Sequence, residues 1–159
     1  RLRAALGNVP DSLHLVKVDF ERQSLEAELR AAGFQPERRA FFVWEAVTQY
    51  LEPEAVRAVL TFMQKAAPGS GLVFTFVRQD FLDGANRYGA KNLYQGFRVK
   101  QRLWRFGLSP ERVAPFLDEF GWREVEQIGP EAVTERYLAP LGRALNVSGL
   151  ERSVYAERR

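Results

Sequence analysis

Two short, almost wholly apolar runs, Ala40-Phe41-Phe42-Val43-Trp44 and Leu72 to Val77, flank a segment whose apolar residues recur at helical spacing. Runs this short and this apolar suit strands buried on both faces of a parallel sheet. Between them, Val56, Val59, Leu60 and Met63 fall on one face of a helix that Pro53 starts and Pro68-Gly69 ends. Strand, helix and strand in that order make a βαβ unit, and the rest of the chain extends the pattern. His14 to Phe20 reads as an earlier strand, followed by a helix with Ser24 as N-cap, Glu26 and Glu28 in its first turns and Gly33 as its stop. The Phe41 run lies within a strand spanning Arg39 to Val47. Residues 78–108 are less regular and hold short helices. Ser109-Pro110-Glu111 starts another helix, with Val113, Phe116, Leu117 and Phe120 as its buried stripe and Gly121 as its end. Trp122 to Ile128 and Leu150 to Ala156 read as strands forming an antiparallel pair at one side, separated by a helical segment from about Pro130. The expected fold class is α/β, doubly wound around a mostly parallel sheet.

Composition removes several chemistries. The chain of 159 residues suits one domain, and no apolar run is long enough to span a bilayer. Nothing resembling a signal peptide follows Arg1. There is no cysteine, which excludes disulfides, thiolate zinc sites and cysteine nucleophiles, and points to a cytoplasmic setting. The sole histidine, His14, stands at a strand start and reads as structural. No metal-ligand cluster, HExxH or G-x-S-x-G sequence is present. Gly69-Ser70-Gly71 precedes a strand, so it is a turn and not a phosphate-binding loop. A net charge of +3 is too small to imply nucleic acid on its own.

Ligands of open α/β sheets bind beyond the carboxyl ends of the strands. The polar residues expected there are Asp19 after the first strand, Glu45 after the second, and Arg78, Gln79 and Asp80 after the third. A carboxylate at a strand end accepts hydrogen bonds from hydroxyl or amino groups of a ligand, or else caps the next turn. Position alone leaves both readings open.

Several stretches together resemble the leucine carboxyl methyltransferase family, and within it a bacterial branch of methyltransferases. They are Val18-Asp19-Phe20, Ala32-Gly33-Phe34, Phe42-Val43-Trp44-Glu45-Ala46-Val47-Thr48-Gln49-Tyr50-Leu51 with Pro53-Glu54-Ala55-Val56, and Ala67 to Phe74. Arg105-Phe106-Gly107-Leu108, Glu119-Phe120-Gly121-Trp122 and Glu151 to Ala156 extend the similarity over nearly the whole chain. The resemblance implies a Rossmann-like class I fold and S-adenosyl-L-methionine as cofactor. It matches Asp19 and Phe20 to the pair that holds the adenine, and Glu45 to a glutamate lining the cofactor site. Ala46 departs from the family, where glycine is usual, and its methyl is expected to crowd the cofactor. Family members are about twice as long, and their upstream half carries the glycine-rich loop. Residues 1–159 then correspond to the C-terminal part of a single methyltransferase domain lacking the first two strands. Such a segment is expected to bind cofactor poorly and to self-associate through an exposed sheet edge.

Between Asp83 and Glu111 no acid occurs, while Arg87, Lys91, Arg98, Lys100, Arg102 and Arg105 interleave with Tyr88, Tyr94, Phe97 and Trp104. In the resembling fold, residues 78–108 are an insertion covering the methyl acceptor, which makes Tyr50, Tyr88, Arg98 and Arg105 candidate substrate-binding residues. The stretch is equally readable as a solvated helix pair with its aromatics packed inward. A third reading, nucleic-acid binding, has the charge confined to one stretch against it. The expected function is an O-methyltransferase acting on a carboxyl or hydroxyl of a small molecule. The alternative is a non-catalytic remnant or interaction module of the same fold. No catalytic base and no metal ligand is identified, and no membrane partner is expected.

Overall fold

A computed structural model describes residues 7, 10–20 and 22–159. Contacts divide the chain into two units, Arg1–Gln35 and Pro36–Arg159.

In the first unit, helix α1 (Leu25–Ala31) forms where local signals require it. The Ser24 hydroxyl accepts from the amide of Ala27 at 3.3 Å, and Glu26 and Glu28 occupy the first turn. Gly33, at φ +90°, donates to the Arg30 carbonyl, and Phe34 donates to that of Leu29, which together close the C-terminus as a Schellman motif. The expected strand from His14 to Phe20 does not form. Residues 13–19 join no ladder, and Leu13, Leu15 and Phe20 are exposed. A strand needs a partner, and no described segment of this unit supplies one.

The second unit is built on a four-stranded sheet ordered β1-β2-β4-β3. Its strands are β1 (Phe41–Trp44), β2 (Gly71–Val77), β3 (Trp122–Ile128) and β4 (Glu151–Arg158). β1 pairs parallel with β2, while β4 runs antiparallel to both β2 and β3, so three strands share one direction. The antiparallel pair expected at one side is β3–β4. α2 (Pro53–Met63) buries Val56, Val59, Leu60, Phe62 and Met63, with Pro53 in its first turn. A turn of 3-10 helix over Pro110–Arg112 leads into α5 (Val113–Asp118), which buries Val113 and Leu117; Ser109 makes no side-chain cap bond. α2 and α5 lie side by side, since Arg57 pairs with Glu119 at 2.7 Å and sits over the rings of Phe116 and Phe120. Beneath them Phe42 meets Phe62 and Trp122 edge to face.

The expectation that β1 is buried on both faces is corrected by the burial pattern. Phe42 and Trp44 face the helices, whereas Phe41 and Val43 are 62% and 67% exposed on the other face. β1 is the end strand of the sheet, and its continuous apolar run reflects one packed face plus one uncovered face. The Phe41 ring stacks on Tyr155 across Gly71, where any Cβ would collide with it.

The chain between β2 and α5 leaves and returns at the same end of the sheet. It carries α3 (Gln79–Leu82), α4 (Lys91–Leu93) and a π-helical run over Tyr94–Lys100. It comes back where Leu108 bonds the carbonyl of Val77 at 3.1 Å and accepts from Gln79 at 3.0 Å. Among the described residues no helix is long and apolar enough to cross a membrane.

Candidate functional site

β1 and β2 end on the same side of the sheet, and the chemistry-bearing residues gather there. After Trp44 the chain turns sharply. Glu45 is exposed, Ala46 adopts φ +55°, and a 3-10 turn covers Thr48–Tyr50. Thr75 of β2 holds this turn: its hydroxyl accepts from the Ala46 amide at 2.8 Å, and its carbonyl accepts from the Thr48 hydroxyl at 2.7 Å. Ala46 therefore occupies a left-handed backbone position, which explains why glycine suits it. Gln49 is buried; its carbonyl accepts from the amides of Arg105 and Phe106, while its side-chain Oε1 has no donor within reach among the described residues.

Residues 78–108 roof this region. Phe81, Leu82, Trp104 and Leu150 are buried with Val77, and Tyr88, Tyr94 and Phe97 pack against them. Phe97 stacks on Trp104 with ring centroids 5.2 Å apart, and Tyr50 meets Trp104 edge to face. The aromatics of the basic stretch thus pack inward. The arginines do not share one fate. Arg98 donates through Nε to the Leu82 carbonyl at 3.2 Å and through Nη1 to the Trp104 carbonyl at 3.3 Å. Arg105 pairs with Glu52, Nη1 to Oε1, at 3.0 Å. Together with Arg102, Asp83, Leu82, Tyr94 and Val99 they wall a cleft of about 830 Å³, within the range typical of small-molecule sites.

Tyr88 stands apart from that cleft. Its hydroxyl donates to Asp80 Oδ2 at 2.5 Å, and Asp80 also accepts from Arg78 through Nε (3.2 Å) and Nη2 (3.0 Å). The Arg78 guanidinium sits over the Tyr88 ring, 5.1 Å from its centroid, and Tyr88 itself has φ +47°. Partial burial pushes Asp80 up, but the hydrogen bonds from Tyr88 and Arg78 and the Arg78 charge outweigh it and hold the carboxyl below its ordinary value. Burial, then the bond to Asp80, pushes the Tyr88 phenol up to about 12.

The structure therefore brings Arg98 and Arg105 into one cleft, with Tyr50 beside Trp104, and commits Tyr88 to a neighbouring ion cluster. In Arg1–Gln35, Asp19 is half exposed with Arg22 at 3.8 Å, its amide donates to Gln23 Oε1 at 2.8 Å, and Phe20 is exposed beside it. Glu52, Gln49 and Arg102 escaped the sequence reading. Glu52 looked like an ordinary residue before a helix, and nothing in the sequence separates Arg102 from Arg98.

Comparison with known proteins gives these positions a context. The family model described as leucine carboxyl methyltransferase matches residues 1–64. A Mycobacterium ulcerans protein named "Putative S-adenosyl-L-methionine-dependent methyltransferase" is 30% identical, over 88% of this chain and 46% of its own length. A protein of the same name from Mycobacterium marinum is 32% identical over the same shares. The chain thus spans about half the length of the curated relatives it matches. Among solved structures, an S-adenosylmethionine-dependent methyltransferase from Mesorhizobium loti aligns over 98% of this chain and 74% of its own, at TM-score 0.59 and 15% identity. One from Archaeoglobus fulgidus aligns over 92% and 68%, at TM-score 0.55 and 16% identity. These two likenesses establish the Rossmann-like α/β fold. Over residues 1–64 the chain is similar to the leucine carboxyl methyltransferase family, and over most of its length to the two methyltransferase-named relatives.

Proposed function

We propose that this chain is the C-terminal part of an S-adenosyl-L-methionine-dependent O-methyltransferase domain, acting on a carboxyl or hydroxyl group of a small molecule. The observation that carries the reading is the cleft of about 830 Å³, walled by three arginines, Glu52, Asp83, Tyr94, Leu82 and Val99, beyond the carboxyl ends of β1 and β2. Residues 78–108 are the segment that covers the acceptor, and Tyr50, Arg98 and Arg105 line or border its site.

The polar groups at the turn after β1 fit the cofactor. An exposed carboxylate at Glu45 and the donorless Oε1 of Gln49 are acceptors suited to amino and hydroxyl groups. Asp19 and Phe20 offer an accessible carboxylate and an accessible ring, the pair that the resemblance assigns to the adenine. When bound, S-adenosyl-L-methionine supplies a methyl group already activated by its sulfonium. The chain's own residues then have to align the acceptor and exclude water. The packed aromatics of residues 78–108 provide an apolar roof, and the arginine wall favours an anionic acceptor. A carboxylate is ionised at pH 7 and needs no base. The cleft's two acids, Glu52 and Asp83, are each held by a partner, Arg105 and Gln79, and its other charged groups are arginines, so a carboxyl acceptor is the preferred form of the proposal.

Titrating the full-length gene product with S-adenosyl-L-methionine tests it. Saturable binding is expected, weakened by about tenfold (~1.4 kcal/mol) in Glu45→Gln. Full-length protein that binds none would leave the interaction-module reading in its place. Methyl label released as methanol by mild base marks a carboxyl ester, whereas an ether survives that treatment.

A further inference from the structure

One stretch of the roof lies between two pinned points and buries nothing of its own. At its start Tyr88 is held through its hydroxyl to Asp80, and its ring lies so close over Gly149 that a Cβ there would fall 2.9 Å from a ring carbon. At its end Trp104 is buried, and the Arg105 amide donates to the Gln49 carbonyl at 2.7 Å. Residues 90–101 lie between. Neither α4 nor the π-helical run over Tyr94–Lys100 contains a buried residue, and Leu93 and Val99 are exposed. The stretch is entered at Gly89, φ +72°, and left at Arg102, φ +51°. Few buried apolar contacts place a segment at the low-stability end of a fold, and a π-helical turn is a rare form found frequently at functional sites. Tyr94, Arg98 and Val99, all within this stretch, form one wall of the cleft.

Among the described residues, side-chain hydrogen bonds tie residues 90–101 to the rest of the chain through Arg98 alone. Its Nε donates to the Leu82 carbonyl and its Nη1 to that of Trp104. Leu82 ends α3, so its carbonyl is one that the helix leaves open. Trp104 belongs to the returning chain. The guanidinium fork therefore bridges both flanks across the base of the stretch. Both of its partners are neutral, so its placement answers to geometry and not to charge balance. Two ring contacts complete the seat: Tyr94 meets Phe81 edge to face, and Phe97 lies nearly parallel over Trp104.

We propose that residues 90–101 are a lid of the cleft and that Arg98 is its latch, a positioning residue that fixes this wall and does not itself bind the ligand. With the latch made, Tyr94 and Val99 stand in the wall and Phe97 covers Trp104. With it broken, the stretch between Gly89 and Arg102 opens and admits the acceptor. The proposal rests on reading this cleft as the acceptor site, and it adds how that site is opened.

Hydrogen exchange on the full-length gene product tests it. In the wild type the amides of residues 91–101 should exchange together, at least about tenfold faster than those of the flanks, 79–88 and 104–108. Arg98→Met should speed exchange of 91–101 by a further factor of about ten while leaving α2 and β2 within about twofold. Arg98→Lys should resemble Arg98→Met, because one ammonium does not span two carbonyls as the fork does; lysine would rescue a residue that acts on a ligand by charge. Acrylamide quenching reads the opening directly. It should rise in Arg98→Met, and the rise should be lost when Trp104→Phe is added. Equal exchange across 79–108 in the wild type, rescue by lysine, or variants in which α2 and β2 speed up with the lid overturns the proposal. The wild-type comparison stands whether or not the variants fold. Titrating the wild type with S-adenosyl-L-methionine keeps the two readings apart. An opening lid without cofactor binding would sink the methyltransferase reading and spare the latch. Cofactor binding with residues 90–101 as protected as their flanks would do the reverse.

Discussion

Ala46 carries a backbone cost that its neighbours enforce. At φ +55° an L-residue is disfavoured by about 1–2 kcal/mol, yet the amide is held by Thr75 Oγ1 and the turn cannot relax without breaking that bond. Glycine at this position loses the strain but gives the unfolded chain extra freedom, worth about 0.4–1 kcal/mol. Ala46→Gly should therefore stabilise the fold by about 0.5–1 kcal/mol, read as a shift in the urea midpoint with an unchanged slope. A destabilised variant would mean that the turn is not left-handed in solution. Thr75→Val, of nearly equal shape, should act in the opposite direction and cost about 1–3 kcal/mol, because it leaves the Ala46 amide without an acceptor. The residue pattern around Glu45 was readable from the resemblance. The reason for the glycine preference was not, because it depends on Thr75, which is distant in sequence and adjacent only once the sheet forms.

At the scale of elements, the insertion over residues 78–108 is anchored by one side-chain cluster. Tyr88, Asp80 and Arg78 tie its first loop to the end of β2. The folded chain holds the Tyr88 proton up to about pH 12, above the ordinary phenol range near 10. The stability this confers is intact below pH ~10 and lost as the pH rises through about 12. Asp80 acts at the other end of the scale. Its carboxyl is held below the ordinary value, so its contribution is intact above pH ~4 and lost as the pH falls further. Absorbance titration of the phenols should show one tyrosine ionising near pH 12 that Tyr88→Phe removes. The same variant should speed amide exchange across residues 84–105, and unchanged exchange there would show that the anchor lies elsewhere. Elements with local signals were legible in the sequence: the Ser24 cap and Gly33 bracket α1, and Pro53 opens α2. The stretch from His14 to Phe20 misled because an apolar-rich run is a local signal, whereas a ladder needs a partner. In the basic stretch the inward packing of the aromatics and the commitment of Arg98 depend on the chain's return to Gln49 and Val77. No residue type announces that return.

For the molecule as a whole, the outer edge of β1 matters most. β1 pairs with β2 on one side and with no described strand on the other, and Phe41 and Val43 stand exposed along it. An unpaired edge of this kind is a template for another strand, and natural proteins blunt it with charge, proline or cover. Phe41-Phe42-Val43-Trp44 carries none of these devices within the strand itself. The curated relatives are about twice as long as this chain, so in a longer protein the same edge has further chain available to pair with it. The 159-residue chain alone should therefore self-associate reversibly, with a weight-average mass that rises with concentration in sedimentation velocity. Val43→Lys places a charge on an exposed position of the edge strand, where substitution costs little stability, about 0.5 kcal/mol or less, and should return the chain to a monomer. A longer gene product should remain monomeric with Val43 in place. A 159-residue chain that stays monomeric at every concentration, or a Val43→Lys variant that associates as the parent does, would show that β1 is not the adhesive edge.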